Sequence, residues 1–423
     1  MRCWGWWKMA ADYLSVVYNL AEPAAVEVGY ERDSRLMIGI SIPSGAGVYL
    51  SDKVKHRAIV ATTGAGKTTT AQAMKEVDFF KKRKVAEIEP ALEVKAEGIF
   101  QNLPNDDGQM IKVLEEDFGL EPARFKTVAY TPDTEQYREF IEKNPGMEEF
   151  FKPIRMSEDE LLELLPKITP AGSIERLHIK RAAKFAKQLG MTIRQMIESM
   201  TNESAAGFLQ NTAAKMEYIA EIGLISYDGV SIKQMLRRKD EISIFTMAFV
   251  DDPIDRFLVA LVLLIAAYEN WKSVHRRKDV LSFFIADAAL FAPAKKKDLL
   301  DSLERYQLAA KAQLQIYARI SRGQGVAWTL DFQTWGDIDD VVKEQIHERF
   351  YKKTWSEEVA DMLGVTVSTM KRLPVQYAYF DNMHSTRLIK IRPPLSKKAR
   401  QGEYTPQDFA KAWRRFEKYE DNY

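Results

Sequence analysis

The chain of 423 residues has one cysteine, Cys3, so it can form neither an internal disulfide nor a Cys-rich metal site, and a reducing compartment suits it. It lacks a charge bias. Sixty-one Lys and Arg stand against 60 Asp and Glu, so any nucleic-acid surface must be a local patch. No stretch reaches the roughly 18 uninterrupted apolar residues of a membrane span. The longest apolar run, Phe257 to Tyr268, reads as a buried helix. The start, Met1 to Lys8, holds three tryptophans but no signal-peptide cleavage pattern, and internal repeats and low-complexity segments are missing. The expected location is the cytoplasm. The indoles suit packing on the core, a partner subunit, or peripheral docking on a membrane or portal complex. What is present is enough for a packed core in two or three domains: 46% apolar and 11% aromatic residues.

The strongest motif is Ala58-Ile59-Val60-Ala61-Thr62-Thr63-Gly64-Ala65-Gly66-Lys67-Thr68: an apolar strand, a Gly-rich turn, then Lys-Thr opening a helix. This is the P-loop pattern G-x-x-x-x-G-K-[ST] with Ala61 in place of the first glycine. Backbone N–H groups over Thr63, Gly64, Ala65 and Gly66, continuing to Thr69, would wrap a β-phosphate at a helix N-terminus. Lys67 would reach the β- and γ-phosphates, and the Thr68 hydroxyl would ligate Mg²⁺. The expected cofactors are ATP and Mg²⁺.

Alternating strand and helix signals point to an α/β fold with a mostly parallel sheet. The reading divides the chain into a short β-rich start over 1–50, a first part of the motor core over 51–134, an inserted helical block over 135–238, a second part of the core over 239–395, and a C-terminal helix over 396–423. Within the block, Ser157-Glu158-Asp159-Glu160 is a capping box, and Pro166 and Pro170 are expected to end the helix that follows. Thr405-Pro406 reads as N-cap and first position of the last helix.

A P-loop ATPase needs an acid at the end of a neighbouring apolar strand to hold Mg²⁺. Phe283-Phe284-Ile285-Ala286-Asp287 supplies it, and the inserted block explains most of the long separation from Lys67. Where a Glu often follows this Asp to polarise the attacking water, the chain has Ala288. Three readings stay open. A Glu has been replaced to hold ATP; the base comes from elsewhere, such as Glu89 or Glu87; or nucleotide is bound without efficient turnover.

With these residues placed, the chain resembles the HerA/FtsK superfamily of DNA-pumping ATPases over roughly residues 36–395. Val48 to Leu50 with Lys55 to Val60 looks like the lead into the P-loop. Asp287 to Pro293 resembles the Asp-Glu-Ala-His region without its Glu and His. Ala318 to Val326 resembles the Gly-Arg segment, and Phe332-Gln333-Thr334-Trp335-Gly336-Asp337-Ile338 the sensor motif. The resemblance implies a RecA-like P-loop NTPase with an inserted all-α subdomain, working as a homo-oligomeric, hexameric ring. Gln333 would then read the γ-phosphate, and an arginine would act in trans on the neighbour's nucleotide: Arg322 first, Arg349 and Arg319 after it.

The family's barrel, membrane-anchor and large N-terminal domains have no room in the first fifty residues, so a stripped motor is expected, of the kind that suits a virus or plasmid. Lys295, Lys296 and Lys297 stand where the family places a pore loop that would grip duplex DNA by its phosphates. A basic helical face (Arg176, Lys180, Arg181, Lys184, Lys187) and the acid-free segment Thr386 to Arg400 are further cationic surfaces. Val359 to Arg372 reads like the centre of a helix-turn-helix, but the resemblance assigns that stretch to the motor itself. The expected function is ATP-driven translocation of duplex DNA in genome packaging or conjugative transfer. The rivals are an ATPase of a pilus, secretion or virion assembly, and a nucleotide-binding scaffold.

Overall fold

Short apolar runs separated by helices build one sheet in the computed structural model, which describes residues 33–169, 172–203, 207–221, 224–225, 228–276, 278–295, 303–400 and 402–420. The Trp-rich start, Lys296 and Lys297 lie outside these residues. Thirteen strands are described: β1 (Met37–Ile42), β2 (Gly47–Tyr49), β3 (His56–Val60), β4 (Lys84–Ile88), β5 (Thr127–Thr131), β6 (Phe151–Arg155), β7 (Val230–Ser231), β8 (Ile242–Phe245), β9 (Leu281–Ile285), β10 (Val326–Phe332), β11 (Ile346–Tyr351), β12 (Tyr377–Asp381) and β13 (Thr386–Ile391). Their spatial order is β2-β1-β13-β12-β11-β3-β10-β9-β4-β8-β5-β6-β7. From β11 to β7 every pair is parallel. From β11 to β2 every pair is antiparallel.

The central parallel strands β3, β4, β5, β8 and β9 are buried on both faces because helices cover both. Alternation along β3 shows it. Ala58 and Val60 join the core that includes the long helix Pro253–Val274, while Ile59 joins the core around the P-loop helix Lys67–Phe80. The helix Pro253–Val274 is long and apolar enough to cross a bilayer, but most of it is buried inside the fold, with Phe257 to Tyr268 wholly covered. Its N-cap Asp252 and first-turn Pro253 fix where it starts.

The excursion from the sheet is narrower than 135–238. β6 and β7 both extend the sheet, so the helical part proper runs from Glu158–Ile168 through Ser173–Leu189 and Ile193–Glu203 to Gly207–Glu221. β6 (Phe-Lys-Pro-Ile-Arg) falls inside the block that reads as helical, and it carries Pro153. The two-residue β7 beside it leaves the proline near the sheet edge, where a missing donor is tolerated. Pro166 lies inside the helix Glu158–Ile168, two residues before its end, and does not stop it at once, while Pro170 lies outside the described residues. The helices Glu357–Leu363 and Val367–Arg372 are joined at a left-handed Gly364. At six residues the second spans only about 9 Å.

Candidate nucleotide-binding site

The C-terminal ends of β3, β9 and β10 meet at one edge of the sheet, and the motif residues collect there. β3 runs into the turn at Ala61. Thr63, Gly64 and Thr68 are exposed, whereas Ala65 and Gly66 are buried. Gly64 and Gly66 adopt left-handed conformations, φ 75° and 84°, which a side chain would strain. A Cβ at Gly66 would also come within 2.8 Å of Val375. Gly66 caps the helix Lys67–Phe80, whose first-turn N–H groups and dipole face the turn.

β9 ends at Ile285, and Asp287 follows in a left-handed conformation, φ 48°, rare for a non-glycine. Its N–H donates to the Asp331 carboxylate at 2.8 Å, which holds the strained backbone in place. The Lys67 ammonium sits 3.4 Å from Asp287 Oδ1 and 3.8 Å from Asp331 Oδ1. Asp331 was not foreseen. It is the single acid in the apolar run Val326–Phe332, two residues before Gln333, and that isolation was the available signal. Burial pushes its carboxyl up to about 6; Lys67 opposes the shift, and Asp287 and Glu87 add to it.

The other candidate carboxylates differ in state. Glu87, on β4, is paired with Lys75 at 2.5 Å. Glu89 is buried. It accepts the Gly98 N–H at 2.9 Å, its Oε2 has no partner, and burial with Glu87 beside it pushes its carboxyl up to about 8. At neutral pH it therefore holds a proton. Ala288 is fully buried at the start of a short 3-10 turn. Gln333 is exposed at the end of β10 and lines a cleft of about 390 Å³ with Asp287, Glu93 and Asp337.

The arginines lie apart from this edge or are held within the fold. Arg322 precedes β10, at the opposite end of the strand from Asp331. At a strand rise of about 3.3 Å per residue, the stretch of β10 from Val326 to Asp331 alone spans about 16 Å. Arg322 is exposed and donates to His347 Nε2 at 2.8 Å, while His347 Nδ1–H donates to Gln345 O at 2.6 Å, so this ring is neutral. Burial, with Arg322 nearby, holds His347 below its ordinary value. Arg349 pairs with Asp381 at 3.2 Å and lies over Trp335. Arg319 is exposed in the last turn of the helix Glu304–Ile320.

Lys295 is exposed just beyond the bridge between Pro293 and Ile338, which joins the Asp287 loop to the sensor segment. The basic tail is mostly engaged with the chain's own acids: Arg392 with Glu76, Lys390 with Asp117, and Lys397 and Arg400 with Asp106. Lys187, from the basic helical face, pairs with Glu163.

Fold and site together define a P-loop ATPase fold of RecA-like architecture, with an inserted helical region. No protein-family model matches the chain, and comparison with curated proteins finds no match. Solved structures do match in fold. The bacterial conjugative coupling protein TrwBdeltaN70 aligns with a TM-score of 0.51 at 12% identity over 92% of each chain. VirB4 of Thermoanaerobacter pseudethanolicus aligns at 0.51 and 12%, over 90% of this chain and all of that one. The plasmid coupling protein TrwB in complex with ADP and Mg²⁺ aligns at 0.51 and 12%, over 87% and 93%. At such identities the likeness establishes the fold.

Proposed function

We propose that the chain is an ATP-driven motor that moves duplex DNA from within a homo-oligomeric ring, in genome packaging or conjugative plasmid transfer. The observation that carries this reading is the placement of Lys67 between Asp287 and Asp331, at the strand ends of a sheet shared with conjugative coupling proteins. The donor set fits Mg²⁺-ATP. The exposed turn Thr63-Gly64 and the helix N-terminus offer N–H donors for phosphate, Lys67 a cation, and the Thr68 hydroxyl and Asp287 carboxylate hard oxygen ligands for a divalent ion. When bound, the metal ion neutralises charge developing on the phosphates.

The rest falls to this chain's side chains. Lys67 binds the β- and γ-phosphates. Asp331 holds the Asp287 backbone and supplies the carboxylate that Ala288 cannot, orienting the attacking water from the β10 side. Gln333, on the same strand end, contacts the γ-phosphate. Glu89 is a poor base at neutral pH because it keeps its proton. Arg322, across the sheet from its own site, serves a neighbour's site, and Lys295 with Lys296 and Lys297 contacts DNA phosphates.

The test is hydrolysis and DNA binding by the wild-type protein with Mg²⁺-ATP, with and without linear duplex DNA, alongside Lys67→Ala. Expected are binding that weakens with salt and hydrolysis that rises with DNA, both the hydrolysis and its stimulation being lost in the variant. Hydrolysis that ignores DNA, with no DNA bound, overturns the motor reading in favour of an assembly ATPase.

A further inference from the structure

We infer that Trp355 is the stacking platform for the purine base of the nucleotide, and that Val375 forms the facing wall. This rests on the proposed nucleotide site and adds the end of the ligand that the P-loop does not reach.

Direction comes first. The P-loop strand β3 lies between β10 on one side and β11 on the other. Lys67 leans toward Asp287 and Asp331, on the β9–β10 side, so the γ-phosphate end points there. The nucleoside end then emerges toward β11. Beyond β11 the chain runs through Lys352, Lys353 and Thr354 to Trp355. This loop is fastened to the P-loop turn: Lys352 N–H donates to Val60 O at 2.9 Å, and both the N–H and the hydroxyl of Thr62 donate to Lys353 O at 3.1 Å. Trp355 is thereby carried to the edge where the nucleoside would leave the turn.

The indole is 66% exposed, among the most exposed large apolar side chains described. A tryptophan in the open at the nucleotide edge is costly to hydrate unless something covers it. The Lys371 ammonium sits 5.8 Å from its ring centre, which restrains the ring without burying it. From the same following segment, Val375 is 48% exposed and packs against Gly66, and its carbonyl accepts from the buried Lys352 ammonium at 2.6 Å. The loop bearing Trp355 and the segment bearing Val375 thus both adjoin the P-loop turn, the first through Lys353 and Thr62 and the second through Gly66. A flat aromatic with an aliphatic wall recognises a planar base by stacking and carries no donor pattern to choose between purines. The site should therefore take ATP and GTP alike.

The experiment compares Mg²⁺-bound ATP, GTP and inorganic tripolyphosphate on wild type, Trp355→Ala, Trp355→Phe and Lys67→Ala by titration calorimetry. Expected is a loss of about tenfold in ATP and GTP affinity for Trp355→Ala, matching one lost base stack, with near wild-type binding for Trp355→Phe. Tripolyphosphate affinity should be unchanged by either Trp355 variant and abolished by Lys67→Ala. Equal ATP affinity in wild type and Trp355→Ala overturns the stacking role and leaves the phosphate site standing. An equal loss for ATP and tripolyphosphate also overturns it, since the indole would then only support the P-loop. If wild type binds none of the three probes, the nucleotide-site reading fails and this inference with it.

Discussion

Two carboxyl groups a few residues from the strand ends set the chemistry expected at the site, and they are in opposite states. Asp331 touches Lys67 and the Asp287 backbone, so Asp331→Asn should keep nucleotide binding but lower kcat by about 100-fold or more, the range for loss of a positioned general base. Single-turnover hydrolysis with separate binding measurements checks this. Glu89→Gln should leave kcat near wild type at neutral pH, because Glu89 is already protonated there. Its effect lies in stability. The Glu89 carboxyl is pushed up from 4.5 to about 8 in the fold, so between these values the folded chain keeps a proton that the unfolded chain has lost. Wild-type stability therefore falls as pH rises through that window, and a glutamine removes that slope. Thermal unfolding at pH 5 and pH 8 should show Glu89→Gln gaining in Tm over wild type at the higher pH only.

The P-loop helix Lys67–Phe80 is anchored near its C-terminal end by buried charge, and this is where packing supports the site. Near its C-terminus Asp78 receives Arg57 at 2.5 Å and Arg83 at 3.0 Å, and Arg57 also pairs with Glu348 at 3.1 Å. Asp78→Asn should destabilise the protein by about 3–5 kcal/mol, since it leaves buried arginines short of a partner, and chemical denaturation measures the loss. Two residues earlier, Glu76 accepts from Arg392 and from the backbone of Leu395 and Ser396, clasping the segment after β13 onto the helix. The pairings of Arg57 with Glu348 and of Glu76 with the segment after β13 were not legible beforehand, because they join residues hundreds of positions apart and charge patterning reports only near neighbours. The same blindness made Thr386 to Arg400 look like a cationic surface when most of its cations serve the chain's own acids. What could be read was local: the strand, turn and Lys-Thr of the P-loop, the capping box at Ser157, and the apolar strand ending near Asp287, each written in a few consecutive residues. Asp331 escaped because its meaning depends on β10 lying between β3 and β9, which no single segment encodes.

At the scale of the whole molecule, Lys67 and Arg322 sit at opposite ends of the same parallel sheet, and this geometry makes the proposed ring testable. An arginine beyond the far end of β10 from its own site cannot stabilise charge there, but a head-to-tail arrangement of identical subunits brings one end of the sheet against the other end of its neighbour. Arg322→Ala and Lys67→Ala should each abolish multiple-turnover hydrolysis. The first retains ATP binding and the second does not. Mixed after dissociation and reassembly, the two should recover activity, because an Arg322→Ala subunit keeps an intact Lys67 that can meet an intact Arg322 from its Lys67→Ala neighbour. The Arg322–His347 bond gives the arginine a resting partner that it must leave to reach across. His347→Ala should therefore retain the trans function and leave recovery in the mixture intact. If the mixture stays as inactive as its components, Arg322 does not act across the interface, and Arg349 is then the next arginine to pass through the same experiment.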